Sequence, residues 1–385
     1  MIGKFAEDIA VSLIVNWIAV DSKKLVEKWK MEFNPKKCEG LLDWNSSECL
    51  PELPESVLLT EMGSPVIHQI EYIYYPILAT FGVPVNLLAI VVLSRGKCGL
   101  SKCISRYLVG MAVADLLVVI TDVILNWIVP LYFPLSFLDI TPVCSLTLFL
   151  SYATAGISIW LTVGFTFDRF VAICCEKLKT KYCTEKTAAV VLGTVSVLGC
   201  SESVPWFFIY EPVFEIDNVP WYCNTKPSFV TSLVWAAFDM FHLILTPCVP
   251  FCLILLLNIL TVRRILVSSH VRRKLRGRSN GENHKDPKME NRRKSIILLF
   301  SISGSFILLW VGWVVFIIYA RIEGTRYIYS NADPVYIIEQ TTKMLQLLSS
   351  CTNTCIYVLT QTKFREELKN AVKYPLNPIV QLMKS

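Results

Sequence analysis

Histidine is scarce in this chain, with four in 385 residues, and charged side chains make up only 18% of it. The shortage of histidine leaves no two-cysteine, two-histidine spacing for zinc, and too few partners for an intramembrane hydrolase. No phosphate-binding P-loop, dinucleotide fingerprint, zincin motif or nucleophile elbow occurs, so nothing marks an enzyme. No repeat relates the two halves, as it usually would in a transporter. Average soluble proteins carry about 25% charged residues. Here the few charges cluster between apolar runs, 54% of residues are hydrophobic and mean hydropathy is +0.50. That segregation describes a multi-span membrane protein and excludes an ordinary soluble enzyme.

A helix needs about 20 apolar residues to cross the hydrocarbon core. Seven runs qualify, near 70–94, 104–128, 143–174, 188–209, 229–262, 295–320 and 335–359. The stretch 8–20 is short and holds Asp8 and Asn16; it reads as a poor signal sequence or an exposed amphipathic stretch. Basic residues set the orientation. The loop of 263–294 holds 12 Lys or Arg, whereas the loops after runs two, four and six hold none, one and two. The basic side faces the cytoplasm, and seven crossings put the N-terminus outside. The expected domains are an extracellular tail (1–69), the bundle (70–359) and an amphipathic eighth helix with a cytoplasmic tail (360–385). Asn45 heads a glycosylation tripeptide on the outer side. Cys144 and Cys223 lie on the same oxidising face, where a disulfide would tie the loop before span five to span three. Cys38 and Cys49 offer a second bridge, and the other ten cysteines are expected as free thiols.

Asp168 and Arg169 end a long apolar run, and ionisable residues inside a bilayer are costly. They are either interfacial charges reaching for water or they have a function. Other spans place single polar residues at similar depth: Asn86, Asp115 and Asn353, the last four before Tyr357, while Phe306 stands four before Trp310. Polar groups in lipid face inward, so these helices share an internal polar network.

Together these residues resemble the rhodopsin-like, or class A, G-protein-coupled receptors, across roughly residues 70–370. The resemblance identifies Asn86 with the helix-one Asn, and MAVAD with the helix-two run ending in Asp115. It places the family's disulfide on Cys144 and Cys223, and the Asp-Arg-Tyr motif on Asp168, Arg169 and Phe170. The toggle tryptophan falls on Trp310 and the Asn-Pro-x-x-Tyr motif on Asn353 to Tyr357. The tail SCTNTCIYVLTQTKFREELKNAVKYP looks most like an orphan subgroup whose relatives are linked to aromatic amino acids. Departures are plain. Gly312 and Thr354 replace prolines, Asn258 a tyrosine, and Arg292 the acidic residue that faces the motif arginine; span four has no tryptophan at the usual place.

The resemblance implies an all-α, seven-transmembrane bundle at the plasma membrane that binds a small extracellular ligand and activates a heterotrimeric G protein, of the Gq class among its relatives. Arg169, beside Asp168, rearranges with Tyr357 when the inner end of helix six swings out. Asp115 holds either an allosteric sodium ion, with Ser158, Ser349 and Asn353, or a proton; otherwise no cofactor is implied. Leu347 stands where a retinal lysine would be, and Ser151 where an amine-binding Asp would be, which excludes an opsin and a monoamine receptor. The outer pocket instead offers Asp122, Asp239, His242, Glu339 and Lys343 with Tyr152, Trp235 and Trp313. That mixture fits an aromatic amino acid or a peptide terminus, unless Glu339 and Lys343 simply pair four apart on one face. Loop three serves anionic lipid or the G protein. Phe364, Leu368, Ala371 and Val372 form the apolar face of a helix on the membrane, with no cysteine after it. Arrestin recruitment would use Ser268, Ser269, Ser279 and Ser295. Nothing points to nucleic acid. A non-signalling decoy or chaperone, and less readily a channel or transporter, are the rival readings.

Overall fold

The computed structural model describes residues 66–133, 136–276, 287–322 and 334–371. Readings that fall on the stretch 8–20, on Cys38, Asn45 and Cys49, on Ser279, Val372 and Ser385, and on the side chains of Ser269 and Arg292 lie outside the described residues.

Among the described residues, six helices are both long and apolar enough to cross a membrane: Val66–Ser94, Lys102–Tyr132, Thr141–Cys174, Glu185–Phe208, Leu233–Ser268 and Arg293–Ala320. A seventh long helix, Pro334–Thr360, has the length, 27 residues, but not the apolar composition. Its polar residues explain the difference. Gln340, Gln346, Ser350 and Thr354 are buried, so this helix is shielded from lipid by protein rather than by its own side chains. The seven-helix fold expected from the sequence stands, with the last span carried by its inward polar face. The helices are called spans one to seven below.

Local chemistry sets the boundaries. Ser101 caps span two, its hydroxyl accepting from the Ile104 N–H, and Thr184 caps span four through the Thr187 N–H. Span three opens on Pro142 in its first turn, where a missing N–H costs nothing. Span two widens into a π-helical run over Val119–Ile128, and span five into one over Ile244–Cys248 around Pro247. Such widening relieves the ring clash of an interior proline. Span five begins at Leu233, because Phe229 belongs to a separate short helix, Pro227–Thr231, and it continues to Arg276.

Within residues 81–385 the core has an inner and an outer part. Leu108, Met111, Phe165, Leu298, Leu299, Tyr357 and Phe364 form the inner cluster. Phe364 is buried there on the helix of residues 362–371, with Leu368 and Ala371 packed alongside, as the amphipathic pattern anticipates. Trp206, Ile209 and Phe229 form an outer cluster with Tyr152 and Phe238.

Span six is continuous through Gly312 (Pro287–Ile322), so this residue replaces proline without breaking the helix. A Cβ at Gly312 would lie 3.1 Å from Thr342 Cγ2 on span seven. The Thr342 hydroxyl is held by the Ile338 and Glu339 carbonyls, so its methyl cannot turn away freely. Close approach of two spans, rather than flexibility, is what this glycine supplies. Gly312→Ala is expected to destabilise by about 1 kcal/mol through overpacking, and adding Thr342→Ser should recover most of it. Thermal unfolding of the purified variants measures both; equal midpoints for the single and double variants would remove the explanation.

Candidate functional site

The outer loop between spans four and five folds as two short antiparallel ladders. Phe214–Ile216 pairs with Val219–Trp221, and Tyr210–Glu211 with Asn224–Thr225. Asp217 and Asn218 turn the first ladder with positive φ (51° and 62°), the geometry of a two-residue hairpin. The expected Cys144–Cys223 disulfide is present. Beside it the Thr141 hydroxyl donates to the Tyr222 carbonyl at 2.7 Å, and the Tyr222 N–H to the Asp139 carbonyl at 2.6 Å. This loop is thereby fixed to the outer end of span three.

Beneath it lies a cavity of about 390 Å³. Asp122, Ser151, Tyr152, Asp239, His242, Trp313 and Lys343 all line it, and Trp235 does not. Glu339 is not among the lining residues. Lys343 does not pair with it; its ammonium lies 3.0 Å from Asp122 Oδ2 and 5.5 Å from the centre of the Trp313 ring. On the opposite wall His242 Nδ1 sits 2.5 Å from Glu202 Oε1. Tyr152 and Trp206 stack there at 4.0 Å, and the His242 ring meets each of them edge-on at 5.1 Å. The cavity is therefore aromatic between an ion pair, Asp122–Lys343, on one wall and the hydrogen-bonded His242 on the other. Trp206 and Gln346 were missed in the sequence. Both residues line the cavity, and their Trp206 Nε1 and Gln346 Oε1 atoms are buried without a hydrogen-bond partner among the described residues.

Deeper, a second cavity of about 20 Å³, room for roughly one water-sized body, is lined by Asp115, Ser158, Ser349 and Asn353, with Trp310 and Gln346. The Ser158 hydroxyl donates to Asp115 Oδ1 (2.6 Å) and Asn353 Nδ2 to Oδ2 (2.8 Å). Ser349 lines the space but is otherwise engaged: it accepts from Trp310 Nε1 at 3.0 Å and donates to the Gln346 carbonyl at 2.6 Å. One carboxylate among neutral hydroxyl and amide oxygens suits a hard monovalent cation. Trp310 and Gln346 line both cavities and so connect them. Phe306 stacks on Trp310 at 5.3 Å.

Two departures from the family pattern have a structural account. Thr354, at a proline position, donates to Asn86 Oδ1 at 3.4 Å while Asn86 Nδ2 donates to the Ser350 carbonyl at 2.8 Å. Asn258, at a tyrosine position, accepts from the Ser303 hydroxyl at 3.1 Å. Each replaces a lost feature with a hydrogen bond between spans.

At the inner end Asp168 and Arg169 are 5% and 3% exposed, so they do not reach for water. Arg169 donates through Nε and Nη2 to Asp168 Oδ2, and through Nη1 to the Ser295 hydroxyl on span six at 3.3 Å. Phe170 is half-buried, and Tyr357 is fully buried with its ring edge-on to Phe364 at 5.8 Å. Asp115 lies at the small cavity beneath the outer one, and the Asp168–Arg169 pair lies apart from it at the inner end, with the apolar cluster of Leu108, Met111, Phe165 and Leu299 packed at that level.

Residues 85–357 match the pattern of the 7 transmembrane receptor (rhodopsin family). The Tachykinin-like peptides receptor 86C of Drosophila melanogaster is 25% identical over 276 residues, which cover 67% of this chain and 50% of that receptor. The chain therefore spans about half the length of this curated relative.

Proposed function

The chain belongs to the rhodopsin family of seven-transmembrane receptors, and on that premise we propose that it is a plasma-membrane receptor, N-terminus outside, that binds a small extracellular ligand and activates a heterotrimeric G protein of the Gq class. The observation that carries this reading is the buried Asp168–Arg169 pair tied to Ser295 of span six at the inner end of the bundle.

The ligand class follows from the cavity. An aromatic amino acid would set its ring against Tyr152, Trp206 and Trp313, its ammonium toward Asp239 and Glu202, and its carboxylate toward Lys343. A small peptide terminus presents the same groups, and the relative's name, a receptor for tachykinin-like peptides, favours that alternative. Asp239→Ala and the paired Asp122→Ala/Lys343→Ala variant should each lose at least about tenfold in agonist potency, the loss expected when a charged partner is removed. Unchanged potency for L-tryptophan, L-phenylalanine and short aromatic peptides would remove this pocket.

Asp115, with Ser158, Ser349 and Asn353, would hold a sodium ion that favours the resting packing. The helix of 362–371 lies on membrane lipid, and the loop-three serines serve arrestin.

Arg169 meets a neutral hydroxyl on span six, and the position that carries the facing acid in the family pattern holds Arg292 in this sequence. The resting latch therefore lacks the usual ion pair between spans. We expect agonist-independent nucleotide exchange well above mock-transfected cells, lowered by Arg292→Glu. A wild-type basal level equal to mock would contradict this.

A further inference from the structure

We infer that Cys103 is a positioning residue of the inner latch: with Cys183, its thiol fixes Asp168 so that the carboxylate's other oxygen faces Arg169. The inference rests on the proposed role of Arg169 in coupling, and it adds residues that the family pattern does not assign. Asp168 uses both oxygens. Oδ2 accepts the Arg169 guanidinium, while Oδ1 accepts the Cys103 S–H at 3.1 Å from the first turn of span two. The Cys183 thiol, just before span four, donates to the Asp168 backbone carbonyl at 3.6 Å. Two elements outside span three, the start of span two and the segment before span four, thus converge on Asp168.

A thiol donates only while protonated. Burial first, and then the neighbouring Asp168 charge, push the Cys183 thiol up to about 11, so it keeps its proton at neutral pH. Cys103 is buried at 2% exposure, which shields it from solvent. Adjacent residues on a helix do not share a face. Asp168 must therefore turn along the helix to reach Arg169, and the Cys103 bond opposes its release.

The test compares Cys103→Ser, which keeps a donor, with Cys103→Ala and Cys103→Val, of which Val keeps most of the volume. Hydrogen–deuterium exchange of the full-length receptor in lipid–detergent micelles is read over residues 163–175 and 293–300. Basal nucleotide exchange is measured in parallel at matched surface levels. The Ala and Val variants should speed amide exchange at these sites by about three- to tenfold, the equivalent of one ordinary hydrogen bond, since a thiol is a weak donor even toward a carboxylate. The Ser variant should remain within about twofold of wild type. If Ser and Ala behave alike, or Val behaves like wild type, the thiol only fills space and the inference is overturned. If amide exchange splits as expected while no G protein responds to any variant, the latch stands and the coupling reading fails.

Discussion

Lys343→Ala is expected to lower the thermal midpoint of the purified receptor by about 5–10 °C. The reason lies in what it leaves behind. Asp122 is 5% exposed, and its Oδ2 receives the Lys343 ammonium at 3.0 Å. Removing one partner of a buried ion pair strands the other charge, at a cost of roughly 3 kcal/mol or more. The Lys343 side chain is 21% exposed to the cavity, which places the effect toward the lower end. Removing both charges costs far less, so Asp122→Ala/Lys343→Ala should recover most of the loss. A double variant as unstable as the single one would show that the pair does not govern stability here. The pair also aims the ammonium: it is held between Asp122 and the Trp313 ring, where a ligand carboxylate can share it.

Cys223→Ala should cost a comparable amount. The disulfide closes a loop of 79 residues, for which the chain-entropy estimate is about 4 kcal/mol. The loop's strands are only two and three residues long and cannot persist alone. The hydrogen bonds of Thr141 and Tyr222 hold the loop only while the disulfide keeps it in place. Surface expression should fall severely, and receptor that does reach the surface should lose agonist potency as the cavity roof loosens. Wild-type surface levels and potency in Cys223→Ala would contradict the account.

How much of this was legible in the sequence depends on the kind of signal. Six spans announce themselves by apolarity, because lipid demands it. The seventh passes as an apolar run by eye but falls short on composition, since its polar face is buried against protein. The positions of Asp115, Arg169, Trp310 and Tyr357 were readable through the family resemblance that their motifs carry. Partners were not: Glu339 and Lys343 are four apart, yet Lys343 reaches Asp122 across the bundle. Trp206 gave no sign, being one aromatic among many at the end of an apolar run. Gln346 could have been flagged as a polar residue within a span, beside Leu347 and one turn before Ser350. The hairpin was foreshadowed by Asp217-Asn218 between FEI and VPW, a turn pair flanked by strand-forming residues. The reason for Gly312 in place of a proline was not legible, because sequence cannot show that Thr342 lies against it.

The central claim is that Arg169 at the inner mouth transmits the outer cavity's state to a G protein. The most direct measurement is G-protein dissociation across a panel of α subunits in cells. Wild type and Arg169→Ala are compared at matched surface levels, with and without aromatic amino acids. The account predicts that wild type activates one class, above mock even without ligand, and that Arg169→Ala abolishes this response. Equal activity in both, or silence from a well-expressed wild type with every subunit and ligand, would contradict it.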